Sequence, residues 1–300
     1  MGRNPSTISR EIWHAKSKGY QARQGQWFAE QNAHYRKAGK LKLTEGSALL
    51  SSVRDKLSLR WSPKEISAQL PMDFPNDARM RNSHESVYAY VYVHCKKGLR
   101  DCLIKSLRLE NSKRGRPRPA SQERRGKIPN AVSIDERPEE VLGREIPGHW
   151  EGDLIIGKGH KSANGTLAER TTLTVIIIPL ASYDAKTVRE AMEEEFARIP
   201  EQMRKTMTYD NGKEMAEHEL LAKNSKINAY FAHPYSLWER PTNENTNGLI
   251  RDYFPKGTIF NAISAERLKE VQHQLNERPR KVLNWYTPKE VFHQLCGVSP

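Results

Sequence analysis

Apolar residues recur along this chain in two rhythms. Through the first 110 positions they keep helical spacing. Ile8 and Ile12 stand four apart after Pro5 and Ser6, and Leu50, Val53 and Leu57 share one helical face. Trp61-Ser62-Pro63 predicts a capped helix start, with Ser62 as N-cap and Pro63 in the first position. That helix runs to about Leu70, where Pro71 and Pro75 break it, and another starts at Asn82-Ser83-His84. Beyond Pro147 the rhythm changes. Trp150–Gly157 and Gly165–Leu173 read as strands, and Thr174–Leu180 is a continuously apolar, β-branched run suited to a buried central strand. A helix over Asp184–Ala197 carries Val188, Met192 and Phe196 on one face. Met207–Tyr209 and Ile227–Ala232 read as strands with a helix, Lys213–Leu221, between them. Further helices follow near Ser264–Asn276 and from Thr287. Five strands interleaved with helices predict a mixed α/β body.

The helical part has two readings at each of its motifs. Ser6, Thr7, Ser9 and Arg10 surround the Ile8/Ile12 face, as in the recognition helix of a helix-turn-helix, whose first residues reach base edges. A plain amphipathic N-terminus fits the same pattern. The later pair of helices, with Ser83 and His84 at the start of the second, is either another helix-turn-helix or an ordinary helical hairpin.

Charge divides the chain near the same place. The net charge is +13, but residues 1–128 carry 27 Lys and Arg against 11 Asp and Glu, and residues 129–300 carry 22 against 25. The first part reads as a polyanion-binding arm and the second as a near-neutral body. Between them, Lys113–Pro119 and Arg124–Lys127 form a basic linker broken by Pro and Gly. Arg114 and Arg116 suit a narrow minor groove, or equally a tether that touches only phosphates. No apolar run approaches the roughly 18 to 20 residues of a membrane span. The N-terminus has no apolar signal-peptide core, and the three cysteines follow no paired-ligand spacing. These features predict a reduced, cytoplasmic, nucleoid-associated chain with no membrane partner.

The candidate chemistry centres on Leu237–Lys256, a stretch of amides, one central carboxylate and flanking arginines that is poor material for a buried helix. Asp153 and Asp210 stand on or just beyond predicted strands, and Glu244 near the start of a predicted helix. Singly, each reads as a turn residue, a cap or a solvated helix residue. Gathered at one sheet edge, they would repel one another, and Mg²⁺ or Mn²⁺, two ions in all, would relieve that repulsion and serve an in-line phosphodiester reaction. Glu151 shares a strand face with Asp153 and reads as its support. Arg251 lies two helical turns past Glu244, with Asn247 and Gly248 on the same face, where a DNA strand could approach.

Three blocks carry a family resemblance: Gly148–Gly157, Asp210–His218 and Asn243–Arg251, extended by Tyr253–Thr258 and Leu275–Lys281. They resemble the signature blocks of insertion-sequence 30 family transposases, and the likeness covers nearly the whole chain. It implies an RNase H-like integrase core preceded by an all-α helix-turn-helix DNA-binding region. It also implies an Asp-Asp-Glu triad at Asp153, Asp210 and Glu244, with 33 residues between the last two. The implied activity is metal-dependent cleavage at element ends followed by strand transfer into target DNA, by a homodimer or larger assembly. Arg251 matches the basic residue such enzymes direct toward DNA. The implied layout is a remnant of a first helix-turn-helix in 1–20, a helical region with a second in 21–110, a linker in 111–146 and the catalytic core in 147–300. Against the family pattern, the chain looks truncated at its N-terminus, and Tyr235, Leu237 and Pro241 stand where His, Pro and Gly are expected. Pro241 is expected to shift the approach to the catalytic helix. The alternative implied by these departures is a relic or regulator that binds DNA without cleaving it. An RNase H-type ribonuclease fits the basic arm less well.

Overall fold

A computed structural model describes residues 4–15, 22–37, 42–95, 100, 103, 128–234 and 236–296. Arg114, Arg116 and the rest of the basic linker lie outside the described residues, as do the side chains of Thr7 and Arg10. The chain divides into two compact units, Met1–Leu107 and Arg108–Pro300.

The first unit is helical among its described residues. It comprises α1 (Pro5–Ala15), α2 (Ala22–Lys37), α3 (Ala48–Ser58), α4 (Pro63–Asp73) and α5 (His84–Ala89), the last continuing as a π-helical turn to His94. Leu50, Val53 and Leu57 are buried together with Ile66, Leu70, Val87 and Val91, so the predicted face of α3 is its core face. Ser62 and Glu65 form a reciprocal capping box with Pro63 behind them, as the sequence signals. The predicted end at Leu70 is too early. Pro71 sits inside the last turn of α4, and the helix closes when the Phe74 N–H donates to Leu70 O just before Pro75. A proline this near a C-terminus removes one hydrogen bond without stopping the turn already formed. Ile8 and Ile12 of α1 are both exposed.

The second unit is built on a five-stranded mixed sheet, in the order β3-β2-β1-β4-β5. Its strands are β1 (His149–Ile156), β2 (Ala163–Glu169), β3 (Val175–Pro179), β4 (Thr206–Tyr209) and β5 (Asn228–Phe231). β1 pairs antiparallel with β2, which pairs antiparallel with β3; β4 and β5 run parallel to β1. The helices are α6 (Glu140–Gly143), α7 (Ala185–Arg198), α8 (His218–Ser225), α9 (Pro241–Tyr253), α10 (Ala265–Asn276) and α11 (Pro288–Leu295). This order and these directions fit an RNase H-like core.

Three boundaries differ from the sequence reading. β2 ends at Glu169 rather than Leu173, because the Glu169 carboxylate accepts the Thr171 and Thr172 N–H groups and Leu173 takes a left-handed φ of 60°. The helix predicted over Lys213–Leu221 is a 3₁₀ turn, Lys213–Met215, followed by α8. The apolar run Val175–Pro179 is an edge strand, not a central one. It is apolar because both its faces are covered: Ile178 faces a core with Val188, Met192 and Phe196 of α7, and Val175 and Ile177 face one with Leu268 and Val271 of α10. Its open edge is satisfied by α10 side chains. Gln272 Oε1 accepts the Ile177 N–H, and the Asn276 amide bonds both Val175 N and Val175 O, each at 2.8 Å. The central strand is β1, whose polar residues concealed its position. Among the described residues no helix is long and apolar enough to cross a membrane.

Candidate active site

β1 separates structure from chemistry by alternation. On one face, Trp150 is fully buried against Phe196 and Phe292, and its indole N–H donates to Met203 O at 2.8 Å. Gly152 lets the Tyr209 ring of β4 close over the strand: a Cβ there would stand 2.5 Å from that ring. The other face carries His149, Glu151, Asp153 and Ile155. Of these, His149 bonds Thr206 Oγ1 at 2.9 Å, and burial lowers its pKa to about 4, so it is neutral and structural at neutral pH. His218 is likewise buried, its Nδ1 on Met215 O at 3.1 Å and its ring against Phe231.

Asp210 follows the last residue of β4. The β1–β4 register pairs Glu151 with Thr208, so two residues further on Asp153, inside β1, comes level with Asp210, just beyond the end of β4. The Arg240 guanidinium spans them, with Nη1 at 4.0 Å from Asp153 Oδ1 and Nη2 at 3.8 Å from Asp210 Oδ2. Burial pushes the Asp153 carboxyl up to about 6; Arg240 opposes the shift, the Asp210 charge adds to it, and the Leu154 and Asn247 donors oppose it. Asp210 Oδ1 is buried with no hydrogen-bond partner, which suits a cation ligand. The oxygen donors are hard, as Mg²⁺ or Mn²⁺ requires.

Helix α9 is fastened to β1 at two levels. Its N-cap residue, Arg240, offers no side-chain cap; instead the fully buried Glu151 carboxylate accepts the Asn243 N–H at 2.8 Å and pairs with Arg170 at 3.2 Å. A carboxylate at this position also complements the positive end of the helix dipole. One turn on, the Asn247 amide donates to Asp153 Oδ2 at 2.7 Å, and Thr166 of β2 donates to Asn247 Oδ1 at 3.2 Å. Pro241 occupies the first helical position, where no N–H is needed, so it starts α9 in the ordinary way.

Asp153 and Asp210 are thus brought together, while Glu244 stands on the neighbouring helix with its side chain exposed. Among the described residues no group of three or more His, Cys, Asp and Glu side chains has the geometry to hold a metal. Arg251 is half-buried, its Nη2 donating to Ile156 O at 2.8 Å, and burial lowers its pKa. Gly248 faces open space. In the first unit, Ser6 bonds Asn4 Oδ1, Ser9 is exposed, Ser83 caps α5 by accepting the Ser86 N–H, and His84 lies 3.2 Å from Glu85. Sequence reasoning missed Arg240. Its signal was position: an arginine directly before a helix-starting proline, in the segment leading to a suspected metal ligand.

No family model matches the chain. It is 41% identical to the transposase for insertion sequence element IS1086 of Cupriavidus metallidurans, over 99% of this chain and 88% of that one. It is 36% identical to the transposase InsI for IS30A of Escherichia coli, over 98% and 77%, and 36% identical to the transposase for IS4351 of Bacteroides fragilis, over 99% and 89%. Among solved structures it matches the catalytic core domain of BIV integrase with a TM-score of 0.40 at 17% identity, over 50% of this chain and 96% of that one.

Proposed function

This chain belongs to the insertion-sequence 30 family of transposases, and from that premise we propose that it binds the terminal repeats of its element and cleaves and transfers DNA strands through Asp153, Asp210 and Glu244. The observation that carries the reading is the pair of aspartates brought level on two adjacent parallel strands, Asp153 within β1 and Asp210 just past β4, with the helix of Glu244 tied to β1. Mg²⁺ or Mn²⁺ bound there would activate the attacking oxygen and stabilise the leaving one. The chain's own residues prepare the place. Asn247 holds one oxygen of Asp153, so the carboxylate has a fixed orientation. Glu151 holds the first turn of α9, which fixes the helix of Glu244 against the strand that carries Asp153. The basic first part of the chain, with 27 Lys and Arg against 11 Asp and Glu, supplies affinity for the DNA backbone. Ser6, Thr7, Ser9, Arg10, Ser83, His84, Arg114 and Arg116 are the proposed contacts of this part, and pairing of two element ends calls for a dimer or larger assembly.

The exposed position of Glu244 favours one second reading, a protein that binds element ends without cutting them. Both are tested by incubating the protein with DNA carrying the terminal repeats and Mg²⁺ or Mn²⁺. Cleavage by the wild type and a loss of about three orders of magnitude in Asp210→Asn supports the triad. Equal cleavage by the two proteins refutes it, and sequence-specific binding without cleavage in either metal establishes the second reading.

A further inference from the structure

Arg240 is a buried arginine with an unusual set of neighbours. Its side chain is about 5% exposed. Nη1 donates to Gly152 O at 2.8 Å, and Nε is buried without an acceptor. Its two nearest carboxylates, at 4.0 and 3.8 Å, lie beyond hydrogen-bond distance. A buried guanidinium is ordinarily matched by paired, charge-assisted hydrogen bonds. Here it neutralises two aspartates while hydrogen-bonding neither. On the other side of the gap, Asp210 Oδ1 is also buried and unpartnered. The arrangement balances charge but leaves donors and acceptors unused, so it is open to replacement by a better-fitting cation.

We infer that Arg240 is the resident counter-cation of the Asp153–Asp210 pair, and that a divalent ion enters between the aspartates by displacing its guanidinium. The inference rests on the metal reading proposed above. An arginine cannot relieve a clash of positive charges by losing its proton. At about 4 Å, in a buried setting that salt screens poorly, it must move or weaken the ion's binding.

The test is a titration of the DNA-free protein with Mn²⁺, followed by calorimetry or by the electron paramagnetic resonance signal of free Mn²⁺. Arg240→Gln is expected to bind Mn²⁺ about tenfold more tightly than the wild type and to show a larger rise in Tm on saturation. Arg240→Lys, which keeps the charge, is expected to stay near the wild type. Weaker or unchanged binding in Arg240→Gln overturns the inference. Asp210→Asn separates the two levels of the argument. If the Mn²⁺ site vanishes in this variant yet is indifferent to Arg240→Gln, only the role of Arg240 fails; if no site depends on Asp210, the metal reading fails with it. Should Arg240→Gln not fold, a structure of the wild type with Mn²⁺ decides. Displacement of the guanidinium from both aspartates supports the inference, and Mn²⁺ bound beside an unmoved Arg240 overturns it.

Discussion

Glu151 and Asp153 lie two residues apart on the same face of β1, yet their surroundings differ sharply. Glu151 is fully buried, one oxygen on the Asn243 N–H and the other paired with Arg170. Asp153 keeps a side-chain exposure of 29%, accepts from Asn247 and Leu154, and faces Arg240 only at 4.0 Å. Burial raises the pKa of both carboxyls, but Glu151 is held by a helix N-terminus and a buried guanidinium, and Asp153 is left partly uncompensated. Two identical charges on one strand thereby divide the labour. One fastens the helix of Glu244 to the sheet; the other is left with partial compensation, as the proposed cation site requires.

That division is broken most severely at Glu151. Glu151→Gln keeps the shape and an acceptor for Asn243 but leaves Arg170 as an unpaired buried charge. It is expected to destabilise the protein by about 3–5 kcal/mol, read as a fall in the urea midpoint. Glu151→Gln with Arg170→Met should recover part of the loss, because no unpaired charge then remains. A single variant as stable as the wild type would show that the pair does not anchor α9.

At Asp153 the sign is the reverse. Its folded-state pKa is raised from 3.8 to about 6, so the native state binds this proton more tightly than the unfolded chain. The associated stability is complete below about pH 4 and is lost as pH rises through 6. Asp153→Asn is therefore expected to stabilise the metal-free protein at pH 7. The pKa shift discounted for the exposed part of the carboxylate corresponds to about 1–2 kcal/mol, and the gain should disappear below about pH 4. Thermal unfolding across pH 4–8 checks both, and a variant less stable at pH 7 would contradict the account. On the proposed reading of Asp153, such a gain is the familiar trade between function and folding.

The smallest change is a control that touches neither carboxylate. Gly248 lies inside α9, and an added Cβ meets nothing within 4 Å. Gly248→Ala should raise stability by about 0.5–1 kcal/mol through helix propensity. If DNA lies against that open face, the same variant should weaken strand cleavage; unchanged cleavage would remove Gly248 from the DNA path.

Much of this architecture was legible in the sequence because local signals and tertiary demands agreed. Ser62 and Pro63 announced α4, and alternation along β1 put Glu151 and Asp153 on one face, although Glu151 holds the start of α9 rather than Asp153. The errors share a physical cause. The apolar run of β3 suggested a central strand, because burial by helices on both faces produces the same composition as burial between strands. The central strand β1 looked half-polar because the site is built from its side chains. The hydrogen bond from Asn247 to Asp153 was not foreseen from helical spacing, because it joins segments 94 residues apart. Arg240 escaped notice for a similar reason: its partners come from separate segments, Gly152 and Asp153 from β1 and Asp210 from just after β4.

The most direct test of the central claim is an anomalous difference map from crystals of the protein with Mn²⁺ and DNA bearing the element's ends. The account predicts manganese density between Asp153 and Asp210, with the Glu244 carboxylate drawn in to coordinate it. Manganese bound elsewhere, or bound at the aspartates with Glu244 still at the surface, would contradict the assignment of the three as one catalytic site.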